Sequence, residues 1–320
     1  MRWRLPFFLI CTWALVNGSF AKPNVPPLTT TLTVASWNLQ WLASDPIIII
    51  PPPPQRTRAD YQQLAHIATQ LDTDILAFQE VADRQAIEKV LTNDEYVFEF
   101  SRRQQESQHN NKRHTKPWPQ FVGFAIRKGI SYVRNADLHQ LDLRGNKSLR
   151  YGVDITLLND GKAALRLLTV HLKSGCYSQQ QSTKNRACRQ LNRQFEVLEQ
   201  WVDRRAAEPL PFMILGDFNR RLTLHNDQMW QQLDDGRPTG LSLYAATEGQ
   251  KSQCRIRIHS KHKKHRKIRH YPNFIDHIVL DERAKQKMVN NSFRELTSDV
   301  EVVKAFNLSD HCPITLSLSL

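Results

Sequence analysis

The chain has 320 residues, of which 40% are hydrophobic and 23% charged, and a formal net charge of +13 at pH 7. Such a composition excludes a mostly disordered protein and leaves room for one large core or two small ones. Beyond the first residues no uninterrupted apolar stretch reaches membrane-spanning length, and no CxxC spacing marks a zinc site.

In chain order, "MRWRLPFFLICTWALVNGSFA" (1–21) reads as an export signal, because Arg2 and Arg4 precede an apolar stretch and Ser19-Phe20-Ala21 offers a small-x-small cleavage site. An uncleaved anchor is the alternative. The expected product is an exported, periplasmic or secreted monomer with no transmembrane segment, with a leader over 22–31 and one domain over 32–320. A first strand follows at "LTVASW" (32–37). The prolines of "DPIIIIPPPP" (45–54) break it off into a surface insertion. A helix starts near Thr57, with Tyr61, Leu64, Ala68 and Leu71 on one face, and "DILAFQ" (74–79) is the next strand. "SRRQQESQHNNKRHTK" (101–116) carries five Lys/Arg against one Glu and reads as a basic loop.

Three more strands are expected at "FVGFAI" (121–126), "YGVDITLL" (151–158) and "ALRLLTVHL" (164–172). An amphipathic helix over about 182–206 aligns Leu191, Phe195, Leu198 and Val202. Then come "FMILGD" (212–217), a second basic loop "RIRIHSKHKKHRKIRH" (255–270) with eight Lys/Arg and no acid, "FIDHIVL" (274–280) and "CPITLSLSL" (312–320). Interleaved strands and helices with some consecutive strands indicate a mixed α/β domain containing antiparallel pairs. The two basic loops suit contact with an anionic polymer or surface, and solvated charge is the plainer reading. Export permits disulfides. Cys176 and Cys188 close a short polar loop and are the expected pair. Cys254 and Cys312 are left either paired or free, with Cys312 expected as a buried thiol at a strand start.

Polar residues recur where apolar strands end: Asn38, Glu80, His171, Asp217 with Asn219, Asp276, and Asp310-His311. Any one of them has an ordinary explanation as a turn or a satisfied core group. Burying so many separately carries a large desolvation cost, so a shared site is the economical account.

In their order along the chain, "WN", "QEV", "HLKSG", "GDFN", "IDHI" and "SDHCPI" resemble the endonuclease/exonuclease/phosphatase superfamily, deoxyribonuclease I-like, and within it an exported bacterial nuclease-like subgroup. The resemblance implies a four-layer α/β/β/α sandwich, two packed mixed sheets flanked by helices. It implies a Mg2+- or Mn2+-dependent phosphodiesterase, with Glu80, Asn38 and Asp310 as metal ligands, Asp217 and Asn219 handling the attacking water, and Asp276 paired with His311. His171 is the second histidine across the scissile phosphate. Deoxyribonuclease I-like members support that histidine with a glutamate; Gln120 stands there in this chain, which predicts a less basic His171. Trp118 aligns with a tyrosine near the nucleic-acid backbone and Arg150 with a phosphate contact, although an exposed arginine at a strand start is equally ordinary. Lys173 is a further phosphate contact or a solvated lysine. Trp118 and Tyr271 could stack on unpaired bases, with packing as the alternative role. The implied substrate is nucleic acid, DNA foremost and RNA possible. The alternatives are a sphingomyelinase-type phospholipid phosphodiesterase or phosphatase, for which "IIII" (47–50) is the membrane-insertion candidate, and a non-catalytic basic nucleic-acid-binding protein.

Overall fold

Strands and helices alternate along the chain as β1 (Thr31–Leu42), α1 (Arg58–Leu71), β2 (Ile75–Val81), α2 (Arg84–Glu88), β3 (Tyr96–Phe100), α3 (Arg102–Gln108) and β4 (Phe121–Arg127). They continue as β5 (Tyr132–Arg134), β6 (Val153–Asn159), β7 (Lys162–His171), α4 (Arg186–Ala206), β8 (Phe212–Asp217), α5 (Gln228–Leu233) and β9 (Leu243–Ala245). The last third holds β10 (Arg255–Ile258), β11 (Lys267–His270), β12 (Asp276–Asp281), α6 (Glu282–Lys287), β13 (Arg294–Glu295), α7 (Val300–Ala305) and β14 (Ile314–Ser319). The structure, a computed structural model, describes residues 31–47, 55–108, 118–145, 148–178, 185–258 and 267–320. The export signal, nearly all of the 22–31 leader, the insertion after Ile47 and the centres of both basic segments lie outside the described residues.

Two six-stranded mixed sheets form the body, in the orders β13-β14-β1-β2-β4-β3 and β5-β6-β7-β8-β12-β9. Only β1–β2 and β7–β8 pair in parallel; the other neighbours within these sheets are antiparallel. The period-two alternation of each strand sends one row of side chains between the sheets and the other row outward. Leu32, Val34, Ile75, Leu167, Leu215 and Ile278 belong to the inner row and pack in one core between the sheets. The outward row of the first sheet, including Trp37, Leu76 and Phe78, is covered by α1 and α2. That of the second sheet, including Val170, Ile214 and Val279, is covered by α4 and α5. The result is the four-layer α/β/β/α sandwich.

The helices start where the side chains dictate. Thr57 caps α1 by accepting from Asp60 N at 3.3 Å, and Asp60 Oδ2 accepts from Thr57 N at 2.7 Å, a reciprocal capping box. Tyr61, Leu64, Ala68 and Leu71 are all buried against the first sheet, each large one contributing about 1.5–3 kcal/mol. In α4 the stripe Leu191, Phe195, Leu198 and Val202 is buried in the same way.

Three details differ from the sequence reading. The described ends of the 255–270 segment pair as the antiparallel hairpin β10–β11. The 101–116 segment opens as α3, in which Arg103 is fully buried, lies 5.2 Å over the Phe121 ring and bonds the carbonyls of Trp118 and Gln120. The charge of Arg103 therefore belongs to the interior, while that of Arg102 faces solvent. Cys312 is not a free thiol: it is joined to Cys254 across a separation of 58 residues, and Cys176 is joined to Cys188 across 12. The first of these bridges ties the root of the basic hairpin to the residue after His311.

Candidate active site

The inner rows that fill the core also build the site, because at one end of the sandwich they turn from apolar to polar. On β1 the row Leu32, Val34, Ser36 ends in Asn38; on β7, Leu165, Leu167, Thr169 ends in His171. On β8, Met213 and Leu215 lead to Asp217, and on the antiparallel β12 the row Leu280, Ile278 arrives at Asp276. Register brings them level: Asp217 pairs with His171 on one side and Asp276 on the other. The turn residues of "GDFN" therefore end a strand and aim into the gap between the sheets. Gly216 permits this approach, since a Cβ there would stand 2.0 Å from the Val170 carbonyl oxygen, and its φ is 148°.

Glu80 has the wrong parity for the inner row and reaches the site by breaking the strand. It adopts φ 58°, and the β1–β2 and β2–β4 registers both shift beside it. A left-handed non-glycine residue costs about 1–3 kcal/mol and persists where its surroundings hold it. Here Trp41 N donates to Glu80 Oε2 at 3.1 Å and Asn38 Nδ2 to Oε1 at 3.4 Å.

Asp217 is the hub. Its Oδ2 accepts from Asn38 Nδ2 at 3.0 Å and Asn219 Nδ2 at 2.9 Å, and its Oδ1 from Asn219 N at 2.8 Å. The same Oδ2 lies 3.5 Å from His171 Nε2 and 3.9 Å from His311 Nε2. His311 Nδ1 is 2.6 Å from Asp276 Oδ2, and its Nε2 is 3.9 Å from Asp310 Oδ1. The 309–311 loop is held onto β1 by Trp37 Nε1, which donates to the His311 carbonyl at 3.2 Å, and by Ser309 Oγ, which donates to the Asn38 carbonyl.

Electrostatics divide the two histidines. Burial opposes charge on His311, but Asp276 first, then Asp217 and Asp310, raise it well above the ordinary histidine range. His171 is driven well below that range by burial, then by Arg150, His311, Arg103 and Lys173. One is an imidazolium and the other a neutral imidazole near pH 7. Burial and the neighbouring Asp276 push Asp217 up to about 7, against the pull of His311. Glu80 is raised by burial and by the charge of Asp310.

All eight strand-end residues thus occupy one end of the sandwich. Arg150 is not an exposed arginine: it is buried, donates from Nη2 to the Leu172 carbonyl at 2.7 Å, and feels Glu80 and Asp217. Its Nε has no partner among the described residues. Gln120 does not serve His171. It hydrogen-bonds Glu80 instead, and His171 Nδ1 is left without a partner among the described residues. Lys173 is half-buried, bonds the Ser174 carbonyl at 2.7 Å and is lowered by burial and Arg150. Trp118 is 60% exposed and packs 5.6 Å from Trp41, while Tyr271, 42% exposed, follows the basic hairpin. Of the arginines in "DFNRR", Arg220 is fully buried against Asp227 at 2.7 Å and is structural.

Three groups at the site escape the sequence reading. Tyr177 is half-buried, with its hydroxyl raised by burial and by Asp217; its signal was the preceding Cys176, whose bridge anchors that loop. Arg56 faces Asp310 and Glu80 while bonding the carbonyls of Leu39, Gln40, Asn307 and Leu308. Trp41 stands in the same bulge.

The donor set suits a hard divalent cation. Two neighbouring carboxylates, Glu80 and Asp310, with the Asn38 amide beside Glu80, form an oxygen-rich corner, and burial and then the charge of Asp310 oppose ionisation of Glu80 against the pull of His311 and Arg150. Asp217, Asp276 and His311 also bring one donor atom each within 4.8 Å of one another, a group that could hold a metal. In that second group His311 Nδ1 is engaged by Asp276, which leaves Nε2 as its donor atom.

The sequence profile described as Endonuclease/Exonuclease/phosphatase family matches residues 35–311. Among solved structures, truncated TDP2 from Caenorhabditis elegans is similar at 19% identity and a TM-score of 0.57, over 91% of this chain and 98% of that one. TDP2 from D. rerio complexed with single strand DNA product is 17% identical with a TM-score of 0.59, over 91% and 100% of the two chains. The 3'-5' exonuclease NExo from Neisseria meningitidis is 15% identical with a TM-score of 0.55, over 90% and 100%. At such identities the likeness is one of fold. Among curated proteins nothing matches.

Proposed function

The chain belongs to the endonuclease/exonuclease/phosphatase family, and from that premise we propose that it is an exported, divalent-metal-dependent phosphodiesterase that hydrolyses nucleic acid, DNA foremost and RNA as a second substrate. The observation that carries this reading is the meeting of both histidines, two amides and a buried arginine around Asp217. The basic hairpin, anchored by Cys254–Cys312 beside His311, supports a polyanionic substrate. A neighbour of the same fold complexed with single strand DNA product supports it too. The export-signal pattern and two disulfides support an extracytoplasmic location.

Glu80, Asn38 and Asp310 would hold Mg2+ or Mn2+, which when bound supplies neutralisation of phosphate charge at the reacting centre. The chain's own groups do the rest. Arg150 presents its buried guanidinium to a phosphate oxygen, with Lys173 at the rim. Asn219 and Asp217 orient a water, and Asp217, with a pKa near 7, takes its proton as the water oxygen bonds to phosphorus. The bond from phosphorus to the leaving ester oxygen breaks, and that oxygen takes the proton held on His311 Nε2. Asp276 keeps His311 charged and in one tautomer. Neutral His171 positions Asp217 and Glu80 through Nε2 and donates no net charge.

The test is a substrate panel. Purified protein is incubated with supercoiled plasmid, single-stranded DNA, RNA and sphingomyelin vesicles, with Mg2+ or with chelator. Metal-dependent nicking of plasmid, or cleavage of the other nucleic acids, is expected. Cleavage of sphingomyelin with no nucleic acid touched would transfer the site to lipid phosphodiesters.

A further inference from the structure

We propose that Trp41 and Trp118 form a stacking platform for an unpaired nucleobase beside the hydrolytic centre, so that a single-stranded or frayed strand is preferred over intact duplex. This rests on the nuclease reading of the site.

The two indole rings lie 5.6 Å apart at 47°. Trp118 is 60% exposed, the most exposed large hydrophobic side chain among the described residues. An indole left so far in water adds little to the core, and exposed aromatics of this kind earn their place at interfaces. Trp41 has been turned out of the core by the backbone. In a regular strand the parity of Trp37 and Leu39, both packed beneath α1 and α2, would carry Trp41 into that same layer. Instead Gln40 and Trp41 take φ 45° and 53°, and the β1–β2 pairing breaks between Asn38 and Leu42. Two consecutive left-handed non-glycine residues are costly, and the surroundings hold them in place. Asn38 Oδ1 accepts from Gln40 N at 2.9 Å, and the half-buried Arg56 clamps the Leu39 and Gln40 carbonyls at 2.9 Å each. A bulge beside an active site commonly re-aims a side chain, and here it aims one indole at another.

Both rings are rooted at Glu80. Trp41 N donates to Glu80 Oε2, and Trp118 lies two residues before Gln120, whose side chain also bonds Glu80. Buried Arg103 holds the Trp118 and Gln120 carbonyls at 3.0 and 3.2 Å, which steadies this second root. A base stacked on the pair therefore sits next to a phosphate held at the metal corner and Arg150. Stacking needs a free π-face, which a paired base inside a duplex does not offer, and it is tolerant of sequence.

The experiment uses the full mature chain in chelator, so that binding is read without hydrolysis. Fluorescence-detected Kd is measured for oligo(dT), for the same strand with abasic sites, and for a blunt duplex, with wild type, Trp118→Ala, Trp41→Ala and Trp118→Phe. Trp118→Ala should weaken oligo(dT) binding about 5- to 150-fold, the scale of one stacked base. Duplex binding should change by less than about threefold, and Trp118→Phe should recover most of the loss. Wild type should bind the abasic strand as weakly as Trp118→Ala binds oligo(dT). Equal effects on single strand and duplex, or full affinity for the abasic strand, would overturn the platform alone. A wild-type enzyme that cleaves no nucleic acid with Mg2+ would instead remove the nuclease reading and this proposal together.

Discussion

Replacing Asp276 by Asn isolates the ion pair on which the proposed acid depends. Asparagine keeps the shape and an acceptor for His311 Nδ1 but discards the charge 2.6 Å away. The His311 side chain is only 13% exposed, so solvent screens the pair weakly. A hydrogen bond between charged partners is worth about 1.5–3 kcal/mol. At about 1.4 kcal/mol per pKa unit, His311 should fall by about one to two units. The basic limb of the kcat/KM profile for nicking should move down by the same interval. The acidic limb, set by Asp217 near 7, should also move down, because Asp276 is the second cause of that elevation after burial. Stability follows the same sign. His311 is raised in the folded state, so its pairing stabilises fully below its unfolded pKa of about 6.5 and is lost as pH climbs through the folded value. Urea melts should therefore show Asp276→Asn destabilised by about 1.5–3 kcal/mol near pH 6 and by less near pH 9. An unmoved basic limb, or a stability gap that widens with pH, would refute the reasoning.

Other expectations follow from single contacts. In chelator, Asp217→Asn should melt higher than wild type at pH 8 but not near pH 4, by on the order of 4 kcal/mol. A carboxyl raised from 3.8 to about 7 favours the fold when protonated and loses that contribution as pH rises through 7. The same variant should lose at least about 100-fold in kcat, and a variant that is both destabilised at pH 8 and active would contradict both halves. Arg220→Ala strips a fully buried Asp227 of its partner and should cost about 3–5 kcal/mol in urea melts. Near-wild-type stability there would show that Arg220 is not the structural residue described. Removing the Cys254–Cys312 bridge by paired serine substitutions should lower stability by about 2–4 kcal/mol, as expected for releasing a loop of this length. An unchanged urea midpoint would show that the bridge constrains nothing.

What could be read in the sequence was whatever has a period. The inner rows of β1, β7, β8 and β12 are apolar every second residue until the site, so Asn38, His171, Asp217 and Asp276 stand out as polar residues in apolar company. The face Tyr61, Leu64, Ala68 and Leu71 announced α1 by its spacing, and the Thr57–Asp60 capping box that starts it emerged only in the structure. The strands β5, β9 and β13 and the helices α2 and α5–α7 span six residues or fewer and carry no pattern of their own; neighbouring strands and packing make them. The Cys254–Cys312 bridge joins residues 58 apart, a pairing that only the folded chain brings together. Gln120 was placed by resemblance beside His171, but the broken register at Glu80 brings a different acceptor within its reach. Arg150 and Arg103 resisted reading because charge is expected outside, and only the carboxylates and carbonyls around them offset their burial.

The central claim is that these distant residues form one hydrolytic centre. It is tested most directly by single-turnover cleavage of DNA with Mg2+ for Glu80→Ala, His311→Ala and the double variant, each checked for folding by circular dichroism. Each single substitution should cost at least about 100-fold, and the double variant should fall little below the worse of the two, as parts of one unit do. Wild-type rates from either single variant would contradict the account.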